Sequence, residues 1–258
     1  MRVHFRIAQP EIAITNRMLL LCSPLINTFH WRKLLPELTE LGCMAVMVDM
    51  PGFGLSDCRA PQSMETRANI IWGILDSVDQ ALESPMSLWH LAGHGPACAT
   101  ILEMAALYPD SVKSQIHISP TFSLNLPLKS PDDSGRWFDS NIRDERRFHR
   151  MIEHYSGYPM DDYIVDRMRR PFMRPGARES FVRMIKSTCP PEHDMGFCPT
   201  MALWGGLDRF IDDKDLSLIH SLLPDAETHI LKSAGHFPME THSQALRDYI
   251  RGWIRYND

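Results

Sequence analysis

No C-x-x-C pair occurs in this chain, and its six cysteines, at positions 22, 43, 58, 98, 189 and 198, stand mostly in apolar runs. Such spacing excludes the common zinc and dithiol motifs, so they read as reduced, buried thiols with no metal role. Long apolar runs are missing too. The longest near the N-terminus, Met18 to Cys22, is far too short to span a bilayer, and no basic, apolar and small-residue signal pattern precedes it. Positive charge is not in excess: 27 Lys and Arg against 32 Asp and Glu leave a net charge of -5. Nothing in that balance favours nucleic acid or an anionic membrane as partner. Repeats and low-complexity tracts are also absent. The expectation is a cytoplasmic protein that handles a small molecule without a metal or other cofactor, its oligomeric state unread.

What is present is an alternation. Strand-like segments at 17–24, 43–50, 86–94, 114–120, 199–205 and 226–233 alternate with helical patterns at about 29–42, 63–83, 96–108, 214–223 and 239–257. That order predicts an α/β fold, a mostly parallel sheet with helices on both faces. Arg2 to Ala8 and Ile12 to Thr15 are expected to add an antiparallel hairpin at one edge. Between Pro120 and Pro199 the strand-like runs stop, and arginine, aromatic and methionine residues recur on helical spacing. The predicted organisation is a core of residues 1–120 and 199–258 with a helical cap inserted at 121–198. Ligands of open α/β sheets bind beyond the carboxyl ends of the strands, where a cap would enclose them. The cap's aromatic and methionine content points to an apolar or aromatic ligand. Its arginines, Arg143, Arg146, Arg147, Arg150, Arg167, Arg169 and Arg170, read mainly as a solvated face paired with nearby acids. The alternative is that one points inward and grips a carboxylate or phenolate.

Several strings occur in an order that carries more information than any one of them. Met18 to Ser23 reads as a strand running into a loop, and Trp31 falls eight residues after Ser23. Asp49-Met50-Pro51-Gly52-Phe53-Gly54-Leu55-Ser56-Asp57 follows the next strand. Gly93-His94-Gly95-Pro96-Ala97 lies between an apolar run and a helix-like run. Gly205-Gly206-Leu207-Asp208 and Ser233-Ala234-Gly235-His236 each end a later strand. Over nearly its whole length the chain resembles the α/β-hydrolase superfamily, in its capped, haloperoxidase-like branch. The resemblance implies that fold, with Asp208 as catalytic acid, His236 as catalytic base and Gly93 to Ala97 as the G-x-S-x-G nucleophile elbow.

The elbow lacks its nucleophile. Gly95 stands at the serine position, and Pro96 stands where the main oxyanion donor is expected, although proline has no N–H. The usual His-Gly of the oxyanion loop is Ser23-Pro24, followed by Leu25. Glycine at this strained turn marks either a site relaxed after loss of a catalytic role or room for substrate to approach His236 directly. Ser23 and Cys98 are the substitute nucleophiles within range of the pocket, but Cys98 sits in a small-residue run that fits tight packing better. Three readings follow. The favoured one is an enzyme using His236, oriented by Asp208, as general acid or base without a covalent intermediate, in lyase, cyclase, proton-transfer or water-mediated hydrolytic chemistry. The others are a non-catalytic binding protein or pseudoenzyme, and an esterase-like hydrolase with an atypical or mutated nucleophile.

Overall fold

The apolar runs become the middle of one sheet. The computed structural model describes residues 1–59, 61, 63–83, 88–122, 128, 130–187 and 198–258. In it β1 (Phe5–Ala8), β2 (Asn16–Cys22), β3 (Cys43–Asp49), β4 (Trp89–His94), β5 (Val112–Ile118), β6 (Thr200–Gly205) and β7 (Glu227–Leu231) pair in the order β1-β3-β2-β4-β5-β6-β7. Every pairing but β1 with β3 is parallel. All residues of β2, β3 and β4 are buried, as strands covered on both faces must be. The strand order reverses between β2 and β4, and the crevice at such a switch point is where ligands of open α/β sheets bind.

One edge differs from expectation. Ile12 to Thr15 forms no strand, so the predicted hairpin is absent, and β1 pairs antiparallel with β3, placing Phe5 opposite Val48 and Ala8 opposite Ala45. Both edges of β2 are taken by β3 and β4, which leaves the outer edge of β3 as the open ladder at that end.

The covering helices are α1 (Leu35–Glu40), α2 (Met64–Ala81), α3 (Ala97–Leu107), α8 (Asp213–Leu222), α9 (Pro238–Thr241) and α10 (Ser243–Tyr256), with α4 (Ser134–Asn141), α5 (Glu145–Ser156), α6 (Asp162–Arg169) and α7 (Ala177–Ser187) between β5 and β6. Two expected helices are broken. The 29–42 pattern splits into a 3₁₀ turn, Thr28–Trp31, and α1, which restarts with Pro36 in its first turn, where a missing N–H costs nothing. The 239–257 pattern breaks at His242, whose φ of -133° and ψ of 40° are not helical. Starts are capped as the residue types dictate: Ser63 accepts from Thr66 N, Asp144 from Arg147 N, and Asp212 from Asp215 N. Residues 86 and 87 of the expected fourth strand, Cys189, and residues 123–127, 129 and 188–197 of the expected cap lie outside the described residues.

The Asp49-to-Asp57 loop is built around one buried carboxylate. Asp49 accepts from Thr28 N at 2.7 Å, Leu55 N at 2.8 Å and the His4 ring at 2.9 Å. Gly54 lets the chain fold back on it, for a Cβ there would lie 2.5 Å from the Asp49 carboxyl carbon. Trp31 is also fixed locally, its indole N–H donating to Cys22 Sγ at 3.2 Å. Together these contacts hold the loops after β2 and β3 against the sheet, which sets one wall of the crevice.

Candidate active site

Gly95 and Pro96 form the turn between β4 and α3. Gly95 adopts a φ of 55°, the left-handed conformation that strains every residue with a side chain, and its N–H donates to Ile118 O at 2.9 Å. Pro96 follows at φ -61°, a value its ring imposes, and opens α3. Gly93 allows α3 to pack close, since a Cβ there would meet Ile101 at 2.7 Å. A Cβ on Gly95 would lie 3.5 Å from His236 Nε2, 3.5 Å from Ser23 Cβ and 3.8 Å from Ser23 Oγ, all ordinary van der Waals contacts. The position is thus the focus of the crevice, and it carries no side chain.

His236 and Asp208, predicted as a pair, are brought together. The imidazole Nδ1–H donates to Asp208 Oδ2 at 2.8 Å, and both side chains are buried. In the neutral imidazole that bond fixes the tautomer and leaves Nε2, turned toward Gly95, as the nitrogen without a proton. The other Asp208 oxygen accepts from Phe210 N at 2.8 Å, which orients the carboxylate, and the Phe210 ring lies 4.4 Å from the imidazole.

Both loops dock on the C-terminal end of α5, a link that sequence reasoning missed. Tyr155 O accepts from Arg209 N at 3.0 Å and Ser156 O accepts from His236 N at 3.2 Å. Terminal carbonyls of a helix lack intrahelical donors, and here the acid and histidine loops supply them. Gly157, at φ 66°, ends the helix in the left-handed cap conformation, and Gly235 permits the approach because a Cβ there would sit 1.2 Å from Ser156 O. A Ser-Gly pair closing a helical pattern was the available signal. On the far side, Glu240 receives a two-pronged contact from Arg32, at 2.6 and 2.9 Å, tying the histidine loop to the segment after β2.

Ser23 follows β2, beside the elbow. Its hydroxyl lies 3.0 Å from His94 Nδ1, and His94 Nε2 lies 2.8 Å from the backbone carbonyl of His236. His94 is wholly buried, and that burial, reinforced by the neighbouring His236, holds its pKa well below the usual histidine value. The sequence names His94 only as a position in the elbow string and gives no hint of this bridge.

Ser23, Pro24, Leu25, Pro96 and His236 all line one small cavity, joined by Thr121 and Phe210 and by Trp137, Ile142, Met151, Phe181 and Met184 from the inserted helices. Its free space of about 20 Å³ is enough to hold water. Thr121 is a second residue that sequence reasoning missed. Its hydroxyl is buried with no hydrogen-bond partner among the described residues, and it follows Ser119, which turns the chain out of β5 at a strained φ of 45°. No arginine lines the cavity among the described residues. Arg143 pairs with Asp139, Arg170 with Asp166, and Arg169 binds the backbone carbonyls of Ile142 and Arg143, while Arg167 lies over the Phe29 ring. The inward arginine envisaged from the sequence is therefore not found.

Cys98 faces away from this chemistry. Its thiol donates to Gly93 O at 3.3 Å, and burial pushes its pKa far up, so it packs rather than reacts. Cys22, Cys43 and Cys98 are buried and free, whereas Cys58 and Cys198 are free but only partly buried, a departure from the expectation of buried thiols. No group of three or more metal-ligating side chains occurs among the described residues. Nor is any described helix long and apolar enough to cross a membrane.

Residues 18–149 match the alpha/beta hydrolase fold family. A 2-hydroxy-6-oxononadienedioate/2-hydroxy-6-oxononatrienedioate hydrolase of Cupriavidus pinatubonensis is 24% identical over 236 residues, covering 86% of this chain and 79% of that protein. Among solved structures, a probable hydrolytic enzyme of Pseudomonas aeruginosa superposes with a TM-score of 0.75 at 19% identity, over 95% of this chain and 88% of the other. An esterase of Exiguobacterium antarcticum gives a TM-score of 0.77 at 13% identity, over 98% and 95%. Likeness at such identities speaks for the fold alone.

Proposed function

The chain belongs to the alpha/beta hydrolase fold family, and from that premise we propose that it is an enzyme in which His236, oriented by Asp208, serves as general base toward water in the hydrolysis of a small carbonyl compound. One observation carries this reading: His236 Nε2, left free by the Nδ1 bond to Asp208, faces the position where Gly95 has no side chain, and His236 lines a cavity with room for water. In a serine hydrolase the histidine would deprotonate a hydroxyl at position 95; here the same nitrogen is left to a solvent molecule. Water attacks the carbonyl as its proton passes to Nε2, and the imidazolium is stabilised by Asp208 until it protonates the leaving group. Thr121 is the side chain that would donate to the carbonyl oxygen, because Pro96 has no N–H to offer.

The helices between β5 and β6 act as a cap in this reading. The cavity's free space is about 20 Å³, and withdrawal of Trp137, Ile142, Met151, Phe181 and Met184 would widen it for substrate. The lining also bears on substrate class. The Cupriavidus relative's name describes a substrate with two carboxylates, yet no cationic arginine or lysine borders this cavity among the described residues. A neutral, apolar or aryl tail therefore suits it better than a second carboxylate.

The test is a panel of 2-hydroxy-6-oxodienoates with aryl, alkyl or carboxylate tails, assayed with wild type, His236→Ala and Asp208→Asn. Turnover of a neutral-tailed member, reduced about 10²–10⁴-fold in His236→Ala, is expected. Equal turnover in wild type and His236→Ala would overturn the assignment. The missing hydroxyl at Gly95 and missing N–H at Pro96 also support a second reading, a non-catalytic binding protein, which predicts no turnover across the panel together with thermal stabilisation by one of its members.

A further inference from the structure

Donors and acceptors around the cavity can be assigned from the hydrogen-bond partners alone. A backbone carbonyl only accepts, so the 2.8 Å contact between His94 Nε2 and His236 O places a proton on Nε2. His94 is buried without a counter-charge, hence neutral, and its Nδ1 carries a lone pair. The Ser23 hydroxyl, 3.0 Å away, must then donate to Nδ1. Its single proton is committed, and Ser23 Oγ has only lone pairs left for the cavity. In neutral His236 the Nδ1–H bond to Asp208 leaves Nε2 as a lone pair. Two acceptors therefore flank the Cβ-less face of Gly95, at 3.5 and 3.8 Å from the point where a side chain would begin. Pro96 contributes no donor to satisfy either of them.

From this we infer that the site binds one water by both of its protons, one donated to His236 Nε2 and one to Ser23 Oγ, with Ser23 held as an acceptor by His94. A group satisfying two acceptors needs two donor hydrogens, and water is the smallest that has them; the cavity that Ser23 and His236 line has room for it. Its oxygen lone pairs then point away from both acceptors and into the pocket, the orientation a nucleophile requires. In this arrangement loss of the serine hydroxyl and loss of the Pro96 N–H belong together: a backbone donor beside the water would compete for the lone pair that must attack. His94 acts through Ser23 and is a positioning residue.

The inference rests on the reading of His236 as base, yet it has a readout independent of turnover. Long-range ¹H–¹⁵N spectra of the wild-type protein report which ring nitrogen is protonated. His94 should be the Nε2–H tautomer, and neutral His236 the Nδ1–H tautomer. A high-resolution crystal structure should show one water within about 2.6–3.2 Å of both His236 Nε2 and Ser23 Oγ. That water should be lost in Gly95→Ala, whose methyl occupies its place, and in Ser23→Ala, while Ser23→Thr keeps it. A protonated His94 Nδ1, or a water bound to His236 alone and unchanged in Ser23→Ala, would overturn the inference even if His236→Ala abolishes turnover. Conversely, a doubly held water in a protein whose turnover ignores His236 would leave the inference standing and remove the base assignment.

Discussion

Restoring the missing nucleophile separates the two losses at the elbow. Gly95→Ser has room for its Cβ, since the nearest atoms are 3.5 Å away, and the hydroxyl one bond further falls within reach of His236 Nε2. Its cost is conformational: φ of 55° charges a residue with a Cβ about 1–2 kcal/mol. Against a total stability of about 5–15 kcal/mol the variant stays folded. It should nevertheless be a poor esterase, because Pro96 still withholds a donor whose loss typically costs about 10²–10³ in rate, roughly 2.7–4 kcal/mol of transition-state stabilisation. Pro96→Met restores an N–H at a φ of -61° that methionine adopts freely, for about 0.4–1 kcal/mol of lost chain rigidity. The assay is a four-way comparison on one activated ester of wild type, each single variant and the double variant, with melting curves alongside. Pro96→Met alone should change little; added to Gly95→Ser it should raise the rate by about two to three orders of magnitude, a non-additive coupling through one transition state. Full esterase activity in Gly95→Ser alone would show that Pro96 is not at the oxyanion position.

Four further outcomes are expected. A serine-directed organophosphonate should leave the wild-type mass unchanged, because Ser23 Oγ–H is committed to buried, weakly basic His94; stoichiometric adduct formation at Ser23 would revive the esterase-like reading. Thr121→Val should lower kcat by about tenfold or more without changing the fold, measured on whichever panel member turns over, whereas an unchanged kcat removes Thr121 as carbonyl donor. Gly235→Ala should destabilise by several kcal/mol in denaturant melts, since its Cβ overlaps the Ser156 carbonyl; a loss under about 0.5 kcal/mol would contradict the docking of α5 on the histidine loop. Stability should also fall as pH drops below about 6.5, because burial lowers the pKa of His30 and His90 to about 4 and of His117 to about 3. The unfolded chain takes up protons that the folded one refuses, so stability is full above the unfolded histidine value and is lost down toward those folded values. His94, likewise lowered by burial, is a fourth, and four such groups give a slope of about 5 kcal/mol per pH unit between the unfolded and folded values, read as denaturant midpoints at pH 7, 6 and 5; midpoints that do not move would refute it.

The sequence by itself determined the sheet, the elbow and the dyad. Strands such as Met18 to Cys22 are apolar without interruption because both faces are covered, and that is a property of neighbouring residues. Gly95, Pro96, Asp208 and His236 were legible because each occupies a fixed place in a short string at a strand end, where local chain geometry decides where a side chain projects. Only the tertiary structure decided what those residues meet. The partner of β1 depended on which edge of the sheet was left open, not on the hairpin-like pattern of residues 2–15. His94 bridges Ser23, 71 residues before it, and His236, 142 residues after it, and no periodicity encodes contacts over such separations. Arg143, Arg169 and Arg170 turned to acids and carbonyls because the charged face of a helix follows its apolar face, and it is burial of that apolar face that fixes its direction. Volume behaves the same way: whether aromatic side chains from α4 and α7 leave room for one water or for a substrate is settled by how whole layers pack, which no single segment specifies.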